Sequence, residues 1–411
     1  AATPTRSTGF TVWIALLGIV TVAGLAAWVY QLSNGLIVTH MRDVTSWGLY
    51  ITAFMFFVGT AAGGLIISAA ANLFNAKHFK PVALPALILS IISILMAALL
   101  IIVDLGMPQR FLNLVLHSQW DSPLMWDVLV ITAYIVISFV YLWSQLTHRD
   151  GVTRIMAMIA LPTAILVHSV TAWIFGLLVA RPYWNSGIMA PLFVSSALTS
   201  GLALLIVFLW ALDHFNLFRV EKEEFHLLAN LLTVLIPVDL FMVAAELLTA
   251  AYSGGEHLDF ASIVLNGPFS FALWLEFGLG LVAFIVLTWE RARKNVAVTT
   301  LMSVFVVISV FFKRVTLMGG AMSQPVLNLP PGVIRGEAGA QMVGNGQVIF
   351  QQSQFYTPSA IEWTIFAGVV AAGLLAYTLI ARYFLVRRQR DFGADAYPLA
   401  AIIGSQKVAA R

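Results

Sequence analysis

His168 is the one histidine deep inside an apolar stretch of this chain, which has eight histidines and no cysteine in 411 residues. A neutral imidazole can donate a hydrogen bond to a quinone carbonyl or accept the proton that a quinol releases, and it titrates near operating pH. Asp104 and Asp127 end and begin neighbouring apolar stretches on the same side, so either could orient the ring and receive the proton. Both also suit plain helix capping, Asp127 in particular standing at a helix start where negative charge meets the helix dipole. A later group, Asp239, Glu246 and Glu276 with Lys313 and Arg314, reads in two ways. It is either a network of buried ion pairs or a path of exchangeable protons. Iron–sulfur clusters need thiolates, and a haem held across a membrane needs a second histidine, so neither is expected in this chain, nor any metal site. Electron transfer here would use a diffusible lipid-soluble carrier and leave the metal centres to partner subunits.

The elements that must hold these residues are membrane helices. Hydrophobic residues make up 60% of the chain and charged residues only 10%, against roughly 25% charged in a soluble domain. Apolar stretches long enough to cross a core of roughly 30 Å fall at about 10–31, 47–72, 82–104, 124–145, 155–180, 189–212, 227–252, 269–289, 297–319 and 360–385. The fold class is therefore an all-α integral membrane protein of ten helices, the first retained rather than cleaved as a signal peptide. Of the 22 lysines and arginines, 16 fall on one side of these spans and 6 on or near the other. The positive-inside rule places both termini in the cytoplasm of a bacterial or archaeal cytoplasmic membrane. It also places nearly every intramembrane charge in the outer half, an asymmetry that ion pairing alone would not produce. The basic pI of 9.2 is then a topology signal, not a nucleic-acid surface.

A weak repeat relates spans 2–5 to spans 6–9. Val103-Asp104-Leu105 echoes Val238-Asp239-Leu240, Trp126-Asp127 echoes Trp274-Leu275-Glu276, and His168-Ser169-Val170-Thr171 faces Lys313-Arg314-Val315-Thr316. The expected division is an N-terminal flanking helix (1–46), a first four-helix bundle carrying the quinone site (47–185) and a second four-helix bundle (186–320). An extracytoplasmic loop (321–359) and a C-terminal flanking helix with a cytosolic tail (360–411) complete it. With no histidine at the place equivalent to His168, the second bundle is expected to bind no quinone. Gly59, Gly63 and Gly64 in span 2 suit close helix packing. The outer aromatics, Trp120, Trp126, Trp173, Tyr183, Trp184, Phe355, Tyr356 and Trp363, form an interfacial belt from which a ring such as Trp173 could stack on a ligand.

Trp47-Gly48-Leu49-Tyr50 running into Gly59-Thr-Ala-Ala-Gly63 resembles the NrfD, or polysulfide reductase membrane-subunit, family. So does Asp104-Leu-Gly-Met-Pro108-Gln-Arg110-Phe followed by Ser122-Pro123-Leu-Met-Trp126-Asp127. Ten spans put the resemblance nearer the branch found in alternative complex III, HybB, DsrP and Qrc. It covers about 40–385, strongest in spans 2–5. It implies a quinone site in the first bundle near the outer face, no cofactor in this subunit and an adjoining iron–sulfur protein. His168 falls where ten-span members have a helix-5 histidine. Tyr50 and Arg110, from these motifs, join His168, Asp104 and Trp173 as candidate quinone contacts.

The expected function is that of a quinone-reactive integral membrane subunit of a respiratory oxidoreductase complex. It would exchange electrons between quinone, menaquinone foremost, and an extracytoplasmic ferredoxin-like iron–sulfur subunit, with a further catalytic or multihaem subunit beyond. Proton movement could be coupled to this. The competing readings are a secondary transporter or proton channel, and a purely structural membrane anchor. Transporters with a midplane site break helices there with Gly or Pro, and here Pro162 and Pro237 are the plain mid-span prolines.

Overall fold

A computed structural model describes residues 8–385, apart from 43–44, 75–78, 182, 216, 254–260, 263, 268 and 323–355. Most of the expected extracytoplasmic loop, the tail from 386 onward, and Arg6, Lys77, Arg335 and Phe355 lie outside the described residues. Among the described residues, ten helices are long and apolar enough to cross a membrane. They are α1 (Thr8–Asn34), α2 (Leu49–Leu73), α3 (Lys80–Asp104), α4 (Pro123–Leu146) and α5 (Asp150–Gly176). The remaining five are α6 (Met189–His214), α7 (Lys222–Ser253), α8 (Ser270–Thr288), α9 (Val296–Met322) and α10 (Ala360–Ile380), the last followed by a π-helical turn, Ala381–Leu385. Each bound falls within a few residues of its hydropathy estimate, because a continuous apolar run has no alternative to intrahelical hydrogen bonding in lipid. The helices run unbroken through Pro162 and Pro237. A mid-helix proline removes one backbone bond, and neighbouring helices accommodate the loss.

Successive helices alternate direction, so the protein has two ends. The Asp104 face carries the C-terminal ends of α1, α3, α5, α7 and α9 and the N-terminal ends of the others; the Lys80 face is opposite. The core is built on α2, nearly all of which is buried. It packs on α3, α5 and α6, while α4 lies against α3 and α5. On the far side of α6, the helices α7, α8 and α9 close a second group. Where α2 crosses α6 the two backbones touch: a Cβ on Gly63 would stand 2.4 Å from the Ala197 carbonyl oxygen, and one on Gly201 2.6 Å from the Gly63 Cα. Only glycine fits such an approach, so the seam between the two groups is fixed at this point. The outlying α1 and α10 pair with each other at Gly24 and Gly368 in the same way, and α10 rests on α3.

At the Asp104 face, α3 ends in Asp104-Leu105-Gly106-Met107-Pro108. Gly106 has a positive φ of 64°, and a Cβ there would meet Leu36 at 2.9 Å. The turn therefore needs glycine, and it delivers the chain to a short helix, Phe111–Leu116, ahead of α4.

Candidate functional site

His168 lies on α5 with 0% of its surface exposed. Gly59 on α2 leaves room for the ring, since a Cβ there would be 3.3 Å from His168 Cε1. The Phe193 ring of α6 lies 5.3 Å away. The polar neighbour comes from α9: Arg314 Nη2 stands 3.4 Å from His168 Nε2. A guanidinium only donates, so Nε2 must accept and the proton of the neutral ring sits on Nδ1. That Nδ1 is buried without a hydrogen-bond partner. Arg314 Nη2 also donates a short hydrogen bond to Ser196 Oγ, and Ser196 donates in turn to the Phe193 carbonyl at 2.9 Å. The Arg314 guanidinium lies 4.0 Å above the Phe193 ring.

Neither carboxylate expected to orient His168 is bonded to it. Asp127, buried at the start of α4, accepts from Thr171 Oγ1 at 2.6 Å, one turn along α5 towards the Asp104 face. Asp104 is half-buried, with Oδ1 enclosed and unpartnered, close enough to Tyr50 and Glu362 for their charges to interact. Tyr50 donates to Gln31 Oε1 at 2.6 Å, and Gln31 Nε2 donates to the Val103 carbonyl at 3.1 Å. This Tyr50 level is remote from His168. Tyr50 and Gly59, which touches His168, are nine residues apart on α2, about 13.5 Å at 1.5 Å per residue. Neither carboxylate makes a hydrogen bond to His168, so the expectation of a single His168–Asp104 constellation is corrected to two levels. Trp173, 38% exposed, and Arg110 lie at the exposed surface of the protein.

Glu362 is fully buried and fully occupied. Its carboxylate accepts from the backbone N–H of Ser359 at 2.8 Å and of His40 at 3.0 Å, and takes a short hydrogen bond from Tyr356 Oη. Ser359 returns a bond to the Glu362 N–H, completing a capping box for α10. Tyr356 Oη meanwhile accepts from the Leu49 N–H at 2.8 Å, tying this corner to the start of α2. Burial and the neighbouring carboxylate hold the Tyr356 phenol well above its ordinary range, as its donor role requires. Glu362 thus owes its depth to a structural latch. The Ser359-x-x-Glu362 spacing is the sequence sign of it.

The second group of charges does assemble. Lys313 Nζ and Asp239 Oδ1 form a buried ion pair at 2.7 Å, and Ser195 on α6 donates to the same oxygen at 3.0 Å. Glu246 accepts from Ser186 at 2.9 Å. Glu276 is buried with Oε1 unpartnered, as are Nε and Nη1 of Arg314. A small cavity between α6, α7, α8 and α9 is lined by Glu246, Glu276, Lys313 and Arg314 with Tyr183, Thr316 and apolar residues. Tyr183, in the segment between α5 and α6, has its phenol held well above the ordinary range by burial and by Glu246 and Glu276. Sequence reading missed Ser196, Thr171 and Gln31, because serines, threonines and glutamines are common in packed membrane helices and carry no signal until a partner is seen. Among the described residues no group of three or more His, Asp or Glu side chains is placed to hold a metal ion.

Residues 37–325 match the family described as "Polysulphide reductase, NrfD". The putative dimethyl sulfoxide reductase membrane subunit of Halobacterium salinarum is 34% identical, with 92% of this chain and 91% of that protein covered. The Hdr-like menaquinol oxidoreductase integral membrane subunit of Archaeoglobus fulgidus is 28% identical, covering 92% and 93%. A selenate reductase subunit of Mesobacillus selenatarsenatis is 24% identical, covering 89% and 92%.

Proposed function

The chain belongs to the NrfD polysulphide reductase family, and from that premise we propose that it is the quinone-exchanging membrane subunit of an oxidoreductase complex. Its relatives are named as subunits of reductases and of a menaquinol oxidoreductase, and they match it over about nine-tenths of their length. The chain has no cysteine to ligate a cluster, so in this reading the iron–sulfur centre that meets the quinone belongs to another subunit. The basic residues concentrate on the Lys80 face. That face is the cytoplasmic one, and the partner docks on the Asp104 face.

One observation carries the assignment of the site to α2–α5. His168 is buried with Nε2 facing the Arg314 guanidinium and Nδ1 without a hydrogen-bond partner, a costly state for a packed helix unless a polar ligand visits it. A quinone carbonyl is such a ligand. Asp127, reached through Thr171, is the next carboxylate towards the Asp104 face. Asp104 with Tyr50 stands further out, where protons reach the surface. The charges of α6–α9 serve either as a fixed ion-pair network or as a proton path. Unbroken helices through Pro162 and Pro237 favour this reading over a transporter built on interrupted helices.

The test is quinone-dependent oxidation or reduction of the partner cluster in the purified complex. His168→Ala should lower it about 10²–10⁴-fold with the complex still assembled. Wild-type turnover in that assembled variant removes His168 from the site.

A further inference from the structure

Arg314 has five N–H donors and no acceptor, and it is 1% exposed among apolar helices. Only part of it is satisfied. Nη2 serves Ser196 Oγ and His168 Nε2, while Nε and Nη1 are buried without partners. Arg314 also lines the cavity that holds Glu276, whose Oε1 is buried without a donor. Unused donors and an unused acceptor share one cavity. The cation nevertheless stands against a neutral imidazole from the other helix group.

This arrangement fits one charge state of His168. With Arg314 donating to Nε2, that nitrogen holds a lone pair and Nδ1 holds the proton. If Nε2 gains a proton, two donors and two positive charges face each other across 3.4 Å, and the contact cannot persist. The other charged groups around His168 offer no substitute. Lys313, also on α9, is held by Asp239 of α7, and Asp127 of α4 is held by Thr171. From α2 and α6 the ring meets Gly59 and Phe193, neither of which titrates. Glu276 and Asp239 are the carboxylates whose charges act on the guanidinium, and with Asp239 paired to Lys313, Glu276 is the one that keeps an oxygen without a donor.

We propose that Arg314 is a positioning residue with two stations. At Ser196 and His168 it fixes the imidazole as the Nδ1–H form, and it moves to Glu276 when His168 takes a second proton. The chemical state of the imidazole in one helix group is thereby read by a carboxylate in the other. The proposal rests on the quinone reading only for the event that protonates His168.

Two measurements test it. The first is ¹⁵N NMR of histidine-labelled protein in detergent, with His168→Gln used to assign the resonance. Neutral His168 with the proton on Nδ1 is expected. A cationic ring, or one protonated on Nε2, overturns the proposal, and no Arg314 variant is needed to see it. The second compares quinone turnover in His168→Gln, Glu276→Gln and the double variant, with Arg314 present and with Arg314→Met. With Arg314 the combined loss should fall short of the product of the single losses by roughly tenfold, and without it the losses should multiply. Simple multiplication in both backgrounds refutes the two stations. Full turnover in His168→Gln would instead count against the quinone role of His168, leaving the NMR result to judge Arg314.

Discussion

Asp239→Asn removes one charge from a pair that is nearly closed to solvent and changes little else. The Lys313 Nζ to Asp239 Oδ1 distance is 2.7 Å, with 5% and 7% of the two side chains exposed. At an effective dielectric of about 20, unit charges at that separation attract by about 6 kcal/mol, most of which offsets the cost of desolvating them. Asparagine keeps an oxygen to accept from Ser195, so what is lost is the compensation of Lys313. Leaving one member of a buried pair uncompensated costs about 3–5 kcal/mol. Glu276, beside the same lysine, is expected to hold the loss to the lower end of that range. Thermal unfolding of the detergent-solubilised protein reads this directly. Asp239→Asn should melt several degrees lower, and adding Lys313→Met should restore most of the difference, since the lysine left without its carboxylate is then gone. Reconstituted vesicles separate the two uses of the network. If it is static, turnover and membrane potential fall together with the folded fraction. If it is a proton path, the folded fraction still turns over quinone while its potential collapses. An unchanged melting temperature in the single variant, or no recovery in the double, refutes the ion-pair reasoning.

Other outcomes follow from the same geometry. Asp104→Asn keeps a polar cap at the end of α3 but cannot accept a proton, so a proton role predicts a clear loss of quinone turnover across pH; equal behaviour of Asn and Asp leaves Asp104 as a capping residue. Gly59→Ala sets a Cβ 3.3 Å from His168 Cε1 and should lower turnover more than it lowers thermal stability, a split that a melting curve beside an activity assay would reveal. Gly63→Ala sets its Cβ against backbone at 2.4 Å and should do the reverse, loosening the α2–α6 seam; a normal melting curve would contradict it. Tyr356→Phe leaves the Leu49 N–H and the Glu362 carboxylate each short of a partner, at a cost of about 1–3 kcal/mol, measured as faster proteolysis at the Asp104 face.

The helices were legible because hydropathy and span length are local properties, and lipid permits one local solution. His168 and the later charges were legible for a related reason: ionisable groups at membrane depth stand out against apolar neighbours. Partners were not legible. His168 was expected to meet Asp104 or Asp127 from its own group, yet its polar neighbour is Arg314, 146 residues away. That choice depends on α9 reaching the seam beside α6, which no local pattern encodes. The outward-facing Trp173 shows the same limit at smaller scale. Position in a span gives depth, whereas azimuth around the helix requires knowing what packs on each side. Glu362 is the opposite case, since its capping-box spacing was there to be read and its depth alone drew attention.

The Gly24–Gly368 contact ties α1 to α10 across almost the whole chain. During synthesis α1 leaves the ribosome ahead of α10, with eight other spans between them. Until then α1, whose surface is largely open, has lipid or the insertion machinery as company. A chain that stops short of α10 therefore leaves the Gly24 face of α1 without the helix that packs on it.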